Sequence, residues 1–192
     1  MPATPSPRIL VPRIETTLAA LWTRVPSVTI GEPAGPPDVF VLISDGEKPF
    51  LRLDLHCPPL EYDSARKAEI WKDWIVVGFG CRVVLVSSKD ATQRVIPLSD
   101  REPPSLFDYF CQIVCEPDAL LVASGTRIVR IGADGAVLWK SGDLGVDGVL
   151  IHDVDADTVS GDGEWDPPGG WEPYEISLAT GALLSGGDPW PK

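Results

Sequence analysis

The sequence predicts an all-β domain, an antiparallel meander of short hairpins, and two observations carry that prediction. Its 192 residues include 20 prolines and 18 glycines, which separate short runs rich in Val, Ile, Leu and Trp. Short apolar runs bounded by turn residues are typical of strands joined by tight turns. A pattern also recurs every 45 residues. We expect one domain over residues 1–192, in which residues 1–34 form an N-terminal extension and residues 35–192 the repeats.

One short amphipathic helix is predicted in the N-terminal extension, between Pro12 and Pro26. The apolar residues there recur at helical spacing: Ile14, Leu18, Leu21, Trp22 and Val25. We expect this helix to cover a sheet edge or an open end of the core, in preference to binding a partner.

The repeats are clearest in the middle of the chain. Residues 80–86 and 125–131 share a glycine, an arginine two residues later and an apolar run, and each follows an apolar run of its own. Weaker copies begin 45 residues before and after this pair, at Gly35 and Gly170. A period of this length with several short strands per unit is typical of propeller blades. The sequence therefore predicts a small or incomplete β-propeller-like fold, with a β-sandwich or roll as the alternative.

A turn and a further strand follow each good copy. Asp134-Gly135 between apolar runs is a strong hairpin signal, because tight hairpin turns need positive φ. Residues 133–139 and 179–185, with a small residue, a turn glycine and a closing Trp139 in the first copy, resemble the repeats of quinoprotein-type propellers. The resemblance covers about residues 70–187 and implies a propeller fold. The second copy lacks the closing tryptophan, and cofactor-binding quinoproteins are far longer, so neither a quinone cofactor nor dehydrogenase activity is expected.

Charge is concentrated at the end of the chain. Of a net charge of −12, almost all comes from residues 141–191, which hold eleven carboxylates and no lysine or arginine. Such a one-sided field attracts basic partners and repels nucleic acid and anionic lipid. The sequence has no apolar run of secretory or membrane-spanning length, so we expect a cytoplasmic protein that binds neither nucleic acid nor membrane.

Aromatic and acidic residues alternate in a Pro/Gly-rich segment within this acidic region, residues 163–174. Rigid aromatic side chains beside carboxylates are suited to basic protein partners or to sugars. We predict that aromatic residues of this segment anchor a basic protein partner, namely Trp165, Trp171 and Tyr174. We predict that neighbouring acids steer it, namely Asp155, Asp157, Asp162, Glu164, Asp166 and Glu172. One concrete form of this interaction module is an immunity-type inhibitor that occludes the basic active site of a toxin nuclease.

A different class of function uses the same segment. Trp165 and Trp171 would then hold a carbohydrate or small ligand, and Glu164 with Asp166 or Glu172 would form the carboxylate pair of a glycoside hydrolase. Catalysis is the less favoured expectation, and no catalytic residue is assigned. A structural β module whose acidity serves solubility alone is the third reading.

Metal and cofactor sites are not predicted. Acids at Asp153, Asp155, Asp157 and Glu164 match the ligand spacing of a helical calcium loop, but Thr158 replaces its essential glycine. An acidic hairpin turn between two strands is the preferred interpretation. The four cysteines lack paired C-x-x-C spacing and lie in or beside apolar runs, which favours free buried thiols: Cys57, Cys81, Cys111 and Cys115.

Overall fold

The computed structural model describes residues 8–57, 65–100, 105, 107–165 and 169–187. Within these residues, sixteen strands form four sheets of four strands each. The all-β, repeat-built fold predicted from the sequence is therefore confirmed. Within the described residues, no helix is long and apolar enough to cross a membrane.

The last three sheets are simple antiparallel meanders, in which neighbours in sequence are neighbours in space. The second sheet comprises β5 (Lys67–Trp71), β6 (Trp74–Phe79), β7 (Arg82–Ser87) and β8 (Gln93–Pro97). The third comprises β9 (Phe110–Cys115), β10 (Leu120–Ser124), β11 (Ile128–Ile131) and β12 (Val137–Lys140). The fourth comprises β13 (Val149–Val154), β14 (Thr158–Trp165), β15 (Gly170–Ser177) and β16 (Leu183–Gly186).

The first sheet differs in topology. It contains β1 (Leu10–Glu15), β2 (Ser27–Ile30), β3 (Val39–Asp45) and β4 (Lys48–Leu55) in the order β1-β3-β4-β2, and β2 pairs with β4 in parallel. Two of its strands come from the segment that the sequence assigns to an extension outside the repeats. The first sheet thus needs the N-terminal segment for half of its strands.

The predicted N-terminal helix is reduced to a 3-10 helix at Ala20–Arg24. Ile14 lies in β1, where it pairs with Val41, so the amphipathic helix from Ile14 to Val25 does not form. Pairing with β3 satisfies the backbone groups of this segment along a whole strand, which outweighs its helical spacing.

The repeat pattern has a simple structural meaning. Gly80 and Gly125 lie between the second and third strands of their sheets, and Gly170 is the first residue of the third strand of its sheet, so the 45-residue period counts one sheet per repeat. Asp134-Gly135 forms the predicted turn between β11 and β12, and Gly135 has φ +78°.

Apolar clusters join the sheets in chain order. The first cluster packs the first sheet against the second, a second cluster joins the second and third sheets, and a third joins the third and fourth. No apolar cluster of the described residues joins the fourth sheet to the first. The molecule is therefore a propeller-like stack of four sheets with two end faces, one on the first sheet and one on the fourth.

Candidate functional site

Strict alternation of buried and half-buried residues along β14 identifies which residues of the fourth sheet face outward. Val159, Gly161, Gly163 and Trp165 are buried, whereas the residues between them are half-buried. Val159 belongs to the cluster packed on the third sheet, so Ser160, Asp162 and Glu164 lie on the opposite, outward face. The register brings Trp171 opposite Glu164, Pro173 opposite Asp162 and Glu175 opposite Ser160. We call this outward surface the acidic face; it comprises Leu150, His152, Asp153, Ser160, Asp162, Glu164, Trp171, Pro173 and Glu175.

A tryptophan and a carboxylate meet at one end of the acidic face. Trp171 is 48% exposed. A methyl group placed on Gly148 would come within 2.9 Å of Trp171 Cη2 and 3.5 Å of Glu164 Oε2, so the indole and the carboxylate lie together over this glycine. An indole beside a carboxylate attracts a guanidinium or ammonium group through both its π-face and the ion pair.

An open cleft of about 400 Å³ lies beside this pair on the acidic face. His152, Asp162 and Glu175 line it together with Ser160 and Pro173. His152 lies at a bulge in β13, and its Nδ1 is 3.8 Å from Asp162 Oδ2. Because the fourth sheet has no lysine or arginine, His152 is its one side chain that can carry positive charge. The cleft therefore offers acceptors and negative charge to a ligand.

The structure separates the nine residues predicted to bind a partner. Asp162, Glu164 and Trp171 lie together on the acidic face. Asp155 and Asp157 are exposed in the β13–β14 turn, about 20 Å from Glu164 at the rise of an extended strand. Asp166 lies outside the described residues. The remaining three lie on the inward side of the sheet, namely Trp165, Glu172 and Tyr174.

Two of the three predicted anchors are core residues. Tyr174 is 3% exposed, packs against Gly161 and donates a hydrogen bond of 2.8 Å from its hydroxyl to the Leu150 carbonyl. Burial, with a smaller contribution from the charge of Asp162, raises the pKa of Tyr174 well above its usual value. Trp165 is 7% exposed, and its buried Nε1 meets no acceptor among the described residues. Of the three predicted anchors, Trp171 alone has an exposed aromatic surface.

The register also bears on the carboxylate pair of the hydrolase hypothesis. Glu164 lies on the acidic face, whereas Glu172 pairs opposite Gly163 and lies on the inward side of the sheet. Two carboxylates on opposite faces of one sheet cannot flank one glycosidic bond. The other predicted partner of Glu164, Asp166, lies outside the described residues.

Sequence reasoning missed Glu175, His152 and Leu150 as neighbours of the site. The signal for Glu175 was present, because it follows Trp171 at a spacing of four residues and a strand places such residues on one face. His152 lies at a bulge, and bulges are not visible in a two-residue alternation.

The acidic segment at residues 153–164 is a hairpin and not a helical calcium loop. β13 ends at Val154, β14 begins at Thr158, and the Asp155 N–H donates to the Thr158 carbonyl at 2.9 Å. In the described part of the chain, no three His, Cys, Asp or Glu side chains converge as metal ligands. Cys81 is buried, as predicted, whereas Cys115 is exposed. Burial raises the pKa of the Cys111 and Cys115 thiols to about 11.

A second charged cluster lies away from the acidic face and is internally paired. Arg127 contacts Asp100 and, at 2.9 Å, Asp143, while Lys140 also contacts Asp100. Nearby, the Thr126 hydroxyl donates to the buried Asp108 carboxylate at 2.9 Å. Because its basic and acidic groups are matched, this cluster ties the third sheet to the loop after β8.

No protein-family model matches the chain, and no curated protein matches it. Among solved structures, the chain is similar to the WD40 domain of SCAP from fission yeast, with 15% sequence identity and a TM-score of 0.41. The similarity covers 73% of this chain and 38% of that chain, so this chain spans well under half of the length of that structure. That structure is a WD40 domain, and the quinoprotein type is not supported. The propeller-like description therefore stands on the four stacked sheets themselves.

Proposed function

We propose that this chain is a protein-interaction module whose acidic face docks a basic protein partner. The observation that carries the proposal is the exposed Trp171 beside Glu164 on a sheet face without lysine or arginine. Polar, charged residues on this face distinguish it from the apolar faces that pack the four sheets together.

On the acidic face, the tryptophan provides a contact surface and the carboxylates provide long-range attraction. A half-exposed tryptophan provides a large, rigid contact surface, and tryptophan is enriched among residues that dominate binding energy. Asp162, Glu164 and Glu175 accelerate the encounter with a basic partner through long-range attraction. The turn acids Asp155 and Asp157 lie about 20 Å away and contribute to the field and not to the contact.

A specific form of this function is inhibition of a toxin nuclease by an immunity-type protein. Electrostatics support it: a nuclease active site holds phosphates with basic side chains, and an acidic face presents the same sign of charge to those side chains. The net charge of −12 and its confinement to residues 141–191 fit such a role.

The test is affinity capture from the native cell extract with the intact chain and the Trp171→Ala variant, at low and high salt, followed by binding kinetics on the purified partner. We expect a stoichiometric basic protein that is lost at high salt. Trp171→Ala should raise the dissociation rate by about 30-fold, a hot-spot loss of ~2 kcal/mol. Asp162→Asn with Glu164→Gln should mainly lower the association rate and its salt dependence.

Two controls keep the test specific to the acidic face. Val95→Ala removes an exposed apolar side chain from β8, and Glu32→Gln removes an exposed carboxylate from the first third of the chain. Both should bind like the unmodified chain. Equal binding by the Trp171→Ala and Asp162→Asn/Glu164→Gln variants would place the docking surface elsewhere.

A further inference from the structure

Tryptophans link each middle sheet to the next one in the stack. In the second sheet, Trp71 Nε1 donates to the Glu116 carbonyl at 2.7 Å and Trp74 Nε1 donates to the Ala133 carbonyl at 2.9 Å. In the third sheet, Trp139 Nε1 donates to the Leu178 carbonyl at 2.9 Å. All three acceptors lie in hairpin turns of the following sheet. An indole that faces forward along the stack therefore holds a turn of the next sheet.

Two of these turns carry a glycine that is pressed against the indole. Gly135 has φ +78°, and a methyl group there would lie 3.0 Å from Trp74 Cζ2. Gly181 has φ +72°, and a methyl group there would lie 2.6 Å from Trp139 Cε3. Glycine is favoured at both positions, because the backbone has positive φ and a Cβ atom would press against the ring.

The fourth sheet also presents a tryptophan on its forward face, in its third strand, and no described residue accepts a hydrogen bond from it. Trp171 faces away from the third sheet, is 48% exposed and donates to no acceptor among the described residues. The carboxylates around Trp171 favour a positively charged ligand. The acidic face of a second copy is disfavoured as the occupant, because two acidic faces would repel each other.

We propose that the docking element of the partner is a basic β-hairpin with a glycine in its turn. In this arrangement Trp171 Nε1 donates to a carbonyl of that turn, the indole lies against the turn glycine, and lysine or arginine side chains of the hairpin pair with Asp162 and Glu164. The inference rests on the proposed docking function and adds the shape and charge of the element that docks.

The experiment uses three synthetic probes of identical net charge. The first is a short disulfide-cyclised hairpin with an Asn-Gly turn and Lys/Arg on its strands; the second has Asn-Ala in the turn; the third is a linear, scrambled peptide. Binding to the full chain is measured by calorimetry at about 50 mM salt, where ion pairs are weakly screened. The Trp171 indole N–H resonance is followed by NMR, with assignment from the Trp171→Phe variant.

We expect the Asn-Gly hairpin to bind about tenfold more tightly than the linear peptide and to shift the Trp171 indole resonance. Trp171→Phe keeps an aromatic ring and removes the donor, so it should lower hairpin affinity by about fivefold to tenfold, the factor typical of one hydrogen bond. The same variant should leave the affinity of the linear peptide unchanged. The Asn-Ala hairpin should bind no better than the linear peptide.

The outcomes distinguish this inference from the function on which it rests. Equal, salt-sensitive binding of all three probes to the acidic face would overturn the hairpin inference and leave the docking function intact. Hairpin binding that is unaffected by Trp171→Phe would also overturn it. Absence of binding by every basic probe, with capture of a basic partner also failing, would remove both.

Discussion

The two end faces of the stack differ in how far other parts of the chain cover them. The outward face of the first sheet is covered by the chain itself: Trp22 is 7% exposed and Leu42 only 2%, although Leu42 lies on the side away from the second sheet. Trp22, Leu42 and Val11 line one cleft there. The outward face of the fourth sheet has no such cover among the described residues, and its tryptophan is 48% exposed. Within the described residues, the tryptophan of the first face is therefore buried by the chain, whereas the tryptophan of the fourth-sheet face is half-exposed.

The two end faces also differ in how their charged groups are paired. On the first face, Arg52 forms two hydrogen bonds to Asp54, at 2.7 and 2.9 Å, and a third to the Trp22 carbonyl at 3.0 Å. On the acidic face, carboxylates outnumber the one ionisable cation, His152, and its Nδ1 is 3.8 Å from the nearest carboxylate oxygen. Paired charges lock a covering segment in place, whereas the carboxylates of the acidic face have no lysine or arginine in their own sheet to pair with.

The strongest test of this comparison replaces a tryptophan with alanine on each of the two end faces. Trp22→Ala removes a buried indole and should lower the free energy of unfolding by about 3 kcal/mol. Trp171→Ala removes an exposed indole and should change it by less than about 1 kcal/mol. Urea denaturation followed by circular dichroism measures both. Similar losses for the two variants would show that the faces do not differ.

A smaller effect is expected from the charges. Asp54→Asn leaves Arg52 half-buried without its ionic partner, and we expect the free energy of unfolding to fall by about 2 kcal/mol. Asp162→Asn is its counterpart on the acidic face and should remain within about 0.5 kcal/mol of the unmodified chain. If Asp162→Asn proves as costly as Asp54→Asn, the acidic face has a structural role that the comparison assigns to the first face alone.

The fold was predictable from the sequence where the repeats are regular. The arginine-containing strands after Gly80 and Gly125 gave the period, and Asp134-Gly135 gave a hairpin, because both depend on local pattern and turn chemistry. The strand pairing of the first sheet was harder to predict. Its β1 and β2 are brought together by pairing with β3 and β4, which lie far along the chain, and the segment around Ile14 has apolar spacing that also suits a helix.

The candidate site was predictable in composition and not in arrangement. The concentration of acids and aromatics located the fourth sheet, but which side of a strand a residue faces depends on register. Trp165 and Trp171 look equivalent in the sequence, yet Trp165 follows Val159 on the inward side of β14 and Trp171 lies opposite Glu164 on the outward side. In the sequence, residues 166–169 between the two tryptophans read Asp-Pro-Pro-Gly and have no alternation to interpret.

The smallest predicted effect separates paired from unpaired carboxylates by their pH dependence. A hydrogen bond from Lys140, with the nearby charges of Lys140 and Arg127, lowers the pKa of Asp100 below its usual 3.8. Its contribution to stability is therefore present above the unfolded-state pKa and is lost as pH falls through the lower folded-state pKa. Because Asp100 is more than half exposed and screened, Asp100→Asn should cost only about 0.5 kcal/mol at pH 7, and the difference should disappear as pH falls below the folded-state pKa. Glu175→Gln, which removes a carboxylate with no lysine or arginine in its own sheet, should cost nothing measurable at pH 7. Urea titrations of both variants from pH 7 to acidic pH measure the free energy of unfolding. If Glu175→Gln loses as much as Asp100→Asn, Glu175 has a cationic partner on the acidic face.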